Sequence, residues 1–338
     1  MFGNCLSATI SQRCKLARTW LANVMIIFTV ASLLLGKAKA ADTSDSGALA
    51  SEVSQIEQPL ETTKPEVAKY EVTNPEVTES DAGAMRIVAL APHLVEMLYA
   101  IGAGDDIVAT VEYANHPEAA KKIPRIGGHQ GISIEKLLLL KPDLILFWQG
   151  GNQAQDLAKM QELGLNVKAL ATKQLKDVAS TIVQLGQWTG RQESAQAIAD
   201  NFTNSLSDIR QQYASKATLK VFYSLWSQPL MTINKDSWIN DLISHCNAEN
   251  VFADSPTTAP QVSIENVLVT APDVIAIPDA HSENKQPLDI WQDWQAIPAV
   301  AKSQIIHVNG DVMHRFSPNM LNGLVDMCQQ IDAFRARG

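Results

Sequence analysis

An α/β protein of two similar lobes is the fold that this sequence predicts, and three observations carry it. First, residues 133–147, SIEKLLLLKPDLILF, align without a gap on residues 263–277, SIENVLVTAPDVIAI, at an offset of 130 residues. Each copy reads as a short helix, a Pro-Asp turn and a buried strand. Second, apolar strands alternate with helices on both sides of the chain's middle, the pattern of parallel sheets covered by helices. Third, one long amphipathic helix separates the two stretches. The repeat distance is far beyond solenoid periods of roughly 20–50 residues. It fits two lobes with a cleft between them, and such clefts are where small ligands bind.

The elements follow in order. Residues 86–90 read as a strand, 94–103 as a helix stopped at Gly104, and 107–111 as a strand. The first repeat copy supplies a helix at 133–140 and a strand at 144–148. A helix at 154–163 ends at Gly164, and a strand follows at 167–170. Residues 175–188 form a helix that Gly190 interrupts. From 193 to 214, apolar residues fall at helical spacing: Ala195, Ile198, Ala199, Phe202, Leu206, Ile209 and Tyr213. At 1.5 Å per residue that rod is about 33 Å long, enough to run from one lobe to the other. The alternation restarts with a strand at 219–225, helices at 237–246 and 263–269, strands at 274–277 and 305–308, and a closing helix at 318–333. The reading is two Rossmann-like lobes with parallel-rich sheets, 85–190 and 217–338, joined by one interlobe helix at 191–216. A helical link resists bending, so a small closing motion is expected rather than a wide hinge.

The front of the chain is expected to lie outside this fold. Arg13, Lys15 and Arg18 precede an apolar run from Trp20 to Leu35, and Ala38-Lys39-Ala40 is an A-x-A site. That predicts a secretory signal over 1–40, cleaved after Ala40. An uncleaved anchor is the alternative reading of the same run. Residues 41–84 hold ten acidic residues against Lys64 and Lys69, with few large apolar side chains. Such a segment cannot bury enough surface to offset its ordering entropy and is expected to be a disordered acidic linker. Without the leader's five basic residues the chain has 36 acidic against 22 basic residues, a net charge of −14. That balance argues against nucleic acid and anionic membrane as partners. Cys5 and Cys14 leave with the leader. Cys246 and Cys328 remain, an even pair in an oxidising compartment, which predicts a disulfide; two separate buried thiols are the alternative.

Enzyme signatures are missing. There is no G-x-S-x-G, Walker loop, G-x-G-x-x-G or H-E-x-x-H. The seven histidines are dispersed, with no short ligand spacing to mark a metal site. What stands out is a set of aromatic and polar residues at strand ends: Tyr113, His129, Trp148, Trp226, Asp311, His314 and Arg315. Ligands of open parallel sheets sit beyond the carboxyl ends of the strands. Flat aromatics with a few polar groups suit a large, partly apolar ligand.

These residues, with IEKLLLLKPDLILFWQGGN at 134–152, DS…PQVSIENVL at 254–268 and DVMHRFSP at 311–318, carry a resemblance. Residues 86–333 resemble the periplasmic cobalamin-binding proteins of bacterial ABC importers. Those belong to a helix-linked class whose other members carry haem or ferric siderophores. The resemblance implies a periplasmic monomer that performs no catalysis and holds no cofactor. It would capture cobalamin or a related corrinoid and deliver it to an inner-membrane ABC permease dimer; haem or a ferric siderophore is the alternative ligand. Tyr113 and Trp148 match aromatics of the corrin cleft, and Asp311 and Arg315 match polar residues that meet corrin amides. His129 stands in place of a tryptophan, Leu225 and Met231 in place of phenylalanines, and Ala259 in place of a further tryptophan. Trp226 is expected to refill part of that wall. Glu135 and Glu265 match docking glutamates, one per lobe, that pair with arginines of two permease subunits. Cys246 and Cys328 fall where the family has its disulfide.

Overall fold

The computed structural model describes residues 85–279 and 289–336. The expected leader at 1–40 and acidic linker at 41–84 lie outside the described residues. The described part opens with β1 (Ile87–Ala89), α1 (Pro92–Ala100) and β2 (Ile107–Thr110), then a two-stranded hairpin of β3 (Gly127–Gly128) and β4 (Gly131–Ile132). It continues through α2 (Ile134–Leu140), β5 (Leu144–Trp148), α3 (Ala154–Glu162), β6 (Val167–Leu170) and α4 (Asp177–Thr189). The long helix α5 (Gln192–Tyr213) follows. The second lobe starts with β7 (Leu219–Tyr223) and a hairpin of β8 (Trp226–Ser227) and β9 (Leu230–Met231). Then come α6 (Trp238–His245), β10 (Ala248–Asn250), α7 (Ile264–Thr270) and β11 (Val274–Asp279). Two short helices, α8 (Asp289–Gln292) and α9 (Pro298–Ala301), lead to β12 (Ile305–Asn309), the short α10 (Gly310–Met313) and the closing α11 (Met320–Arg335).

Each lobe holds a four-stranded parallel sheet, in the order β2-β1-β5-β6 in the first and β10-β7-β11-β12 in the second. The strand orders correspond one to one. The repeated segment builds the same junction in both. Ser133 and Ser263 cap α2 and α7, accepting the N–H groups of Lys136 and Asn266. Both helices end on a left-handed residue, Lys141 at φ 45° and Ala271 at φ 47°. The aspartate of each Pro-Asp turn then ties the helix end to the lobe's first strand. Asp143 Oδ2 accepts from the Arg86 N–H at 2.8 Å, and Asp273 Oδ2 accepts from the Lys220 N–H at 2.8 Å. The sequence duplication is therefore a duplicated fold junction. The shortest elements, β10, α10 and the two hairpins, went unread in the sequence because two to four residues carry no period.

The period-two alternation of the strands divides the core into layers. Ile87, Leu144, Leu146, Val221, Tyr223, Val274 and Ala276 point into one continuous core. Their neighbours Val88, Ile145 and Phe147 point to the other face of the first sheet, and Phe222, Ile275 and Ile277 to the other face of the second. The continuous core spans both lobes, because α5 runs through it. Ala195, Ala199, Phe202, Ile209 and Tyr213 are buried, as their spacing predicts. Helix α4 packs closely along α5. Gly186 makes this possible, since a Cβ there would come within 2.2 Å of the Ala195 Cβ. Arg191, at the start of α5, donates to Gly102 O at 3.0 Å and to Asp106 at 3.2 Å in the first lobe. In the second lobe a Cys246–Cys328 disulfide joins the end of α6 to α11 across 82 residues of sequence. Arg335 of α11 adds bonds to the carbonyls of Ala217 and Asn247.

A shared core makes the lobes one cooperative unit. Circular dichroism and tryptophan fluorescence should report coincident thermal transitions. Phe202→Ala, on α5, should shift both together and cost about 3–5 kcal/mol; a variant that melts one lobe ahead of the other would contradict the shared core.

Candidate functional site

A cleft of about 530 Å³ opens between the lobes, lined only from the carboxyl ends of the strands and the loops beyond them. Pro92 and His93 follow β1, Tyr113 follows β2, and Trp148 closes β5. From the second lobe come Leu225, Trp226 and Met231 after β7, Pro278 and Asp279 at the end of β11, and the Gly310–Phe316 loop after β12. The volume lies within the usual range for small-molecule sites, roughly 300–1,000 Å³. Tyr113 and Trp226 present broad faces, being 56% and 54% exposed. Trp148 is half-buried and anchored through Nε1 to the Thr172 carbonyl at 3.3 Å.

Of the eight residues expected to bind ligand, seven line this space: Tyr113, Trp148, Leu225, Trp226, Met231, Asp311 and Arg315. His129 does not. It sits in the turn of the β3–β4 hairpin, exposed, with Nδ1 4.0 Å from Glu112. Glu135 and Glu265 lie outside the lining too, exposed on the first turns of α2 and α7. Hydrogen bonds with Ser263 and with its own backbone hold the Glu265 carboxyl below its ordinary range. Among the described residues no three His, Cys, Asp or Glu side chains are grouped to hold a metal ion.

Arg315, besides lining the cleft, bridges the two lobes. It crosses the base of the cleft to the first lobe. Nη1 donates to Glu96 Oε1 at 2.8 Å, and Nη2 donates to the Tyr113 carbonyl at 3.1 Å and to Asn115 Oδ1 at 2.9 Å. Ser317 Oγ donates to the other oxygen of Glu96 at 2.5 Å. The Glu96 side chain is 4% exposed and that of Arg315 11%. Tyr113 has a left-handed backbone, φ 64°, and Arg315 grips its carbonyl from the opposite lobe. Beside this knot a row of rings crosses between the lobes. Trp148 meets His93 edge-on at 4.9 Å, His93 meets Phe316 at 6.1 Å, and Phe316 meets Trp238 at 4.6 Å.

Both lining histidines are neutral. Burial, helped by the Arg315 charge, lowers His93 to about 3. Burial lowers His314 to about 4 against the pull of Asp311. His314 Nε2 is 3.0 Å from the Tyr223 hydroxyl, whose own ionisation burial opposes. His93 Nε2 is buried without a hydrogen-bond partner. The carboxylate and guanidinium side chains on the described lining are Asp279, Asp311 and Arg315, and Arg315 pairs with Glu96 at 2.8 Å and with Asp311 at 3.7 Å. Sequence reading missed His93, Phe316 and Glu96. Nothing local marks them, since Glu96 meets its partners 219 and 221 residues away.

Two parallel-sheet lobes joined by a helix, with an aromatic cleft between their strand ends, define a two-lobed solute-binding protein. The chain belongs to the periplasmic binding protein family, whose profile matches residues 87–312. It is 39% identical over 246 residues to the vitamin B12-binding protein of Vibrio cholerae serotype O1, covering 72% of this chain and 88% of that one. The crystal structure of the periplasmic vitamin B12-binding protein BtuF of Vibrio cholerae superposes with a TM-score of 0.67 at 38% identity, covering 74% of this chain and 98% of that one. The haem-binding protein RhuT of Roseiflexus sp. RS-1 shares the fold, with a TM-score of 0.67 at 21% identity over 75% of this chain and 100% of that one.

Two outcomes test the site's energetics. Arg315→Ala strands a buried carboxylate and should cost about 3–5 kcal/mol of stability by denaturant titration, whereas the double change Arg315→Met with Glu96→Gln should recover much of it. The histidines set the acid response. The unfolded chain takes up their protons near 6.5, the folded chain only near 3 for His93 and 4 for His314. Stability therefore falls as pH drops from 6.5 toward 4, by about 1.4 kcal/mol per pH unit for each histidine. His314→Gln should flatten that slope; an unchanged slope would place the His314 proton elsewhere.

Proposed function

We propose that the protein captures cobalamin or a related corrinoid in the interlobe cleft and delivers it to an inner-membrane ABC permease, with no chemistry on the ligand. The observation that carries this reading is the character of the cleft wall. Tyr113, Trp148 and Trp226 offer flat apolar surface for a macrocycle. Asp279, Asp311 and His314 offer hydrogen-bonding groups suited to the carboxamides at a corrin's edge. The cleft has no uncommitted permanent cation on its described lining, because Arg315 is held by Glu96. Anionic ligands such as ferric siderophores or the propionates of haem want arginines that are free to pair with them. An amide-rich ligand does not. The names of the Vibrio relatives support the same choice.

In this reading the segment 1–40 is a cleaved export signal and 41–84 a spacer, leaving the lobes to work in the periplasm. Glu135 and Glu265, one on each lobe at equivalent positions, then pair with cationic groups of two permease subunits. A pseudo-two-fold binder meets a two-fold partner through two like contacts. Exposed charges of this kind set register and encounter rate more than affinity.

Calorimetric titration with cyanocobalamin should give saturable one-to-one binding, and no heat at micromolar ligand would reject the proposal. Asp311→Ala should weaken binding by about 1–3 kcal/mol, roughly five- to 150-fold. Haem binding with a shifted Soret band, in place of cobalamin binding, would move the protein to the alternative ligand of its class.

A further inference from the structure

Six large apolar side chains stand exposed among the described residues: Tyr113, Leu138, Leu139, Leu163, Trp226 and Val269. Tyr113 and Trp226 belong to the cleft. Of the other four, Leu139 and Val269 are the most exposed, at 76% and 84%, and they occupy the same place in the duplicated unit, 130 residues apart. Each lies four residues after a docking glutamate within one helix, Leu139 after Glu135 on α2 and Val269 after Glu265 on α7. Residues four apart share a helix face. Each lobe therefore presents one carboxylate with one bare apolar side chain a turn below it.

We propose that Leu139 and Val269 are a matched pair of apolar contacts that seat against two equivalent subunits of the membrane permease, each beside its docking glutamate. The inference rests on the docking reading above and extends it from charge to packing. Three features carry it. The helices α2 and α7 turn directly into β5 and β11 and so run against them, which sets Glu135 and Glu265 at the cleft end of each helix and Leu139 and Val269 one turn further back. A partner that receives ligand must approach that end. Next, the two most exposed of the four side chains fall at the same place in the duplicated unit, Leu in one copy and Val in the other, each beside a glutamate at the matching position. Last, a carboxylate and an apolar knob do different work at an interface. The charge steers the encounter and is screened by salt. The knob slows departure by burying area, which salt does not screen. The matching surface on each partner subunit is thus a cation beside a shallow apolar hollow.

The test uses the full protein with the vitamin B12 importer permease purified from the same cells, reconstituted in nanodiscs, and surface plasmon resonance. Leu139→Gln and Val269→Gln keep helix propensity and length. Each should weaken docking about tenfold, mainly through faster dissociation, and the double variant about a hundredfold. The loss should persist at high salt, and cyanocobalamin affinity should be unchanged. Glu135→Gln and Glu265→Gln should instead slow association, with an effect that fades as salt rises. If the Gln variants at 139 and 269 dock like the parent while the glutamate variants fail, the apolar pair is overturned and the charge-based docking stands. If the parent protein itself does not dock, both fall. Equal binding to empty nanodiscs would make the pair a lipid contact and overturn it as well.

Discussion

Glu96 and Arg315 form the contact on which the geometry of the cleft depends. The two side chains come from opposite lobes, are nearly removed from water, and share their remaining bonds with Ser317, Asn115 and the Tyr113 carbonyl. A buried pair of this kind need not add stability relative to an apolar core, but it fixes a geometry, because either partner alone would be a stranded charge. Here it fixes how far apart the lobes stand at their base and which way the Tyr113 ring faces. The same pairing removes the positive charge that Arg315 would otherwise offer to a ligand.

The shared core reinforces that constraint. Helix α5 passes through apolar contacts that belong to both lobes, with Phe202 and Tyr213 buried along it. A motion that separated the lobes widely would have to open this layer and strand apolar area in water. At the mouth Tyr113 and Trp226 stand exposed. A molecule built this way presents its two lobes to a partner in a nearly fixed relation. That is what the proposed pair of docking points on α2 and α7 requires.

Charge and shape in the cleft divide the work. Aromatic faces supply area, which is sequence-tolerant and gives little direction. The polar atoms on Asp279, Asp311 and His314 supply direction, and burial keeps the histidine uncharged so that it acts as a hydrogen-bonding group rather than a cation. His307 lies 2.7 Å from Asp279 and orients one of these carboxylates from behind the wall. On its described lining the cleft therefore carries two carboxylates and one arginine that Glu96 already pairs.

The sequence alone determined whatever is encoded within about one helical turn or by a simple period. The Ser cap, the Pro-Asp turn and the apolar strand after it are local signals, so both copies of the unit were legible, as was the buried stripe of α5. Tyr113, Trp148 and the Asp311–Arg315 loop were legible because parallel strands put their carboxyl ends on one side. Tertiary structure decided what those residues meet. His129 sits in the turn of the β3–β4 hairpin, beside Glu112 and off the described lining. His93, Glu96 and Phe316 look like ordinary residues of a helix and a loop; His93 and Phe316 join the cleft lining, and Glu96 meets Arg315, only when chain segments more than 200 residues apart are packed together. A contact across that separation leaves no period and no spacing in either segment. Only the folded arrangement, in which burying Glu96 demands a cation from the other lobe, shows why Arg315 is there.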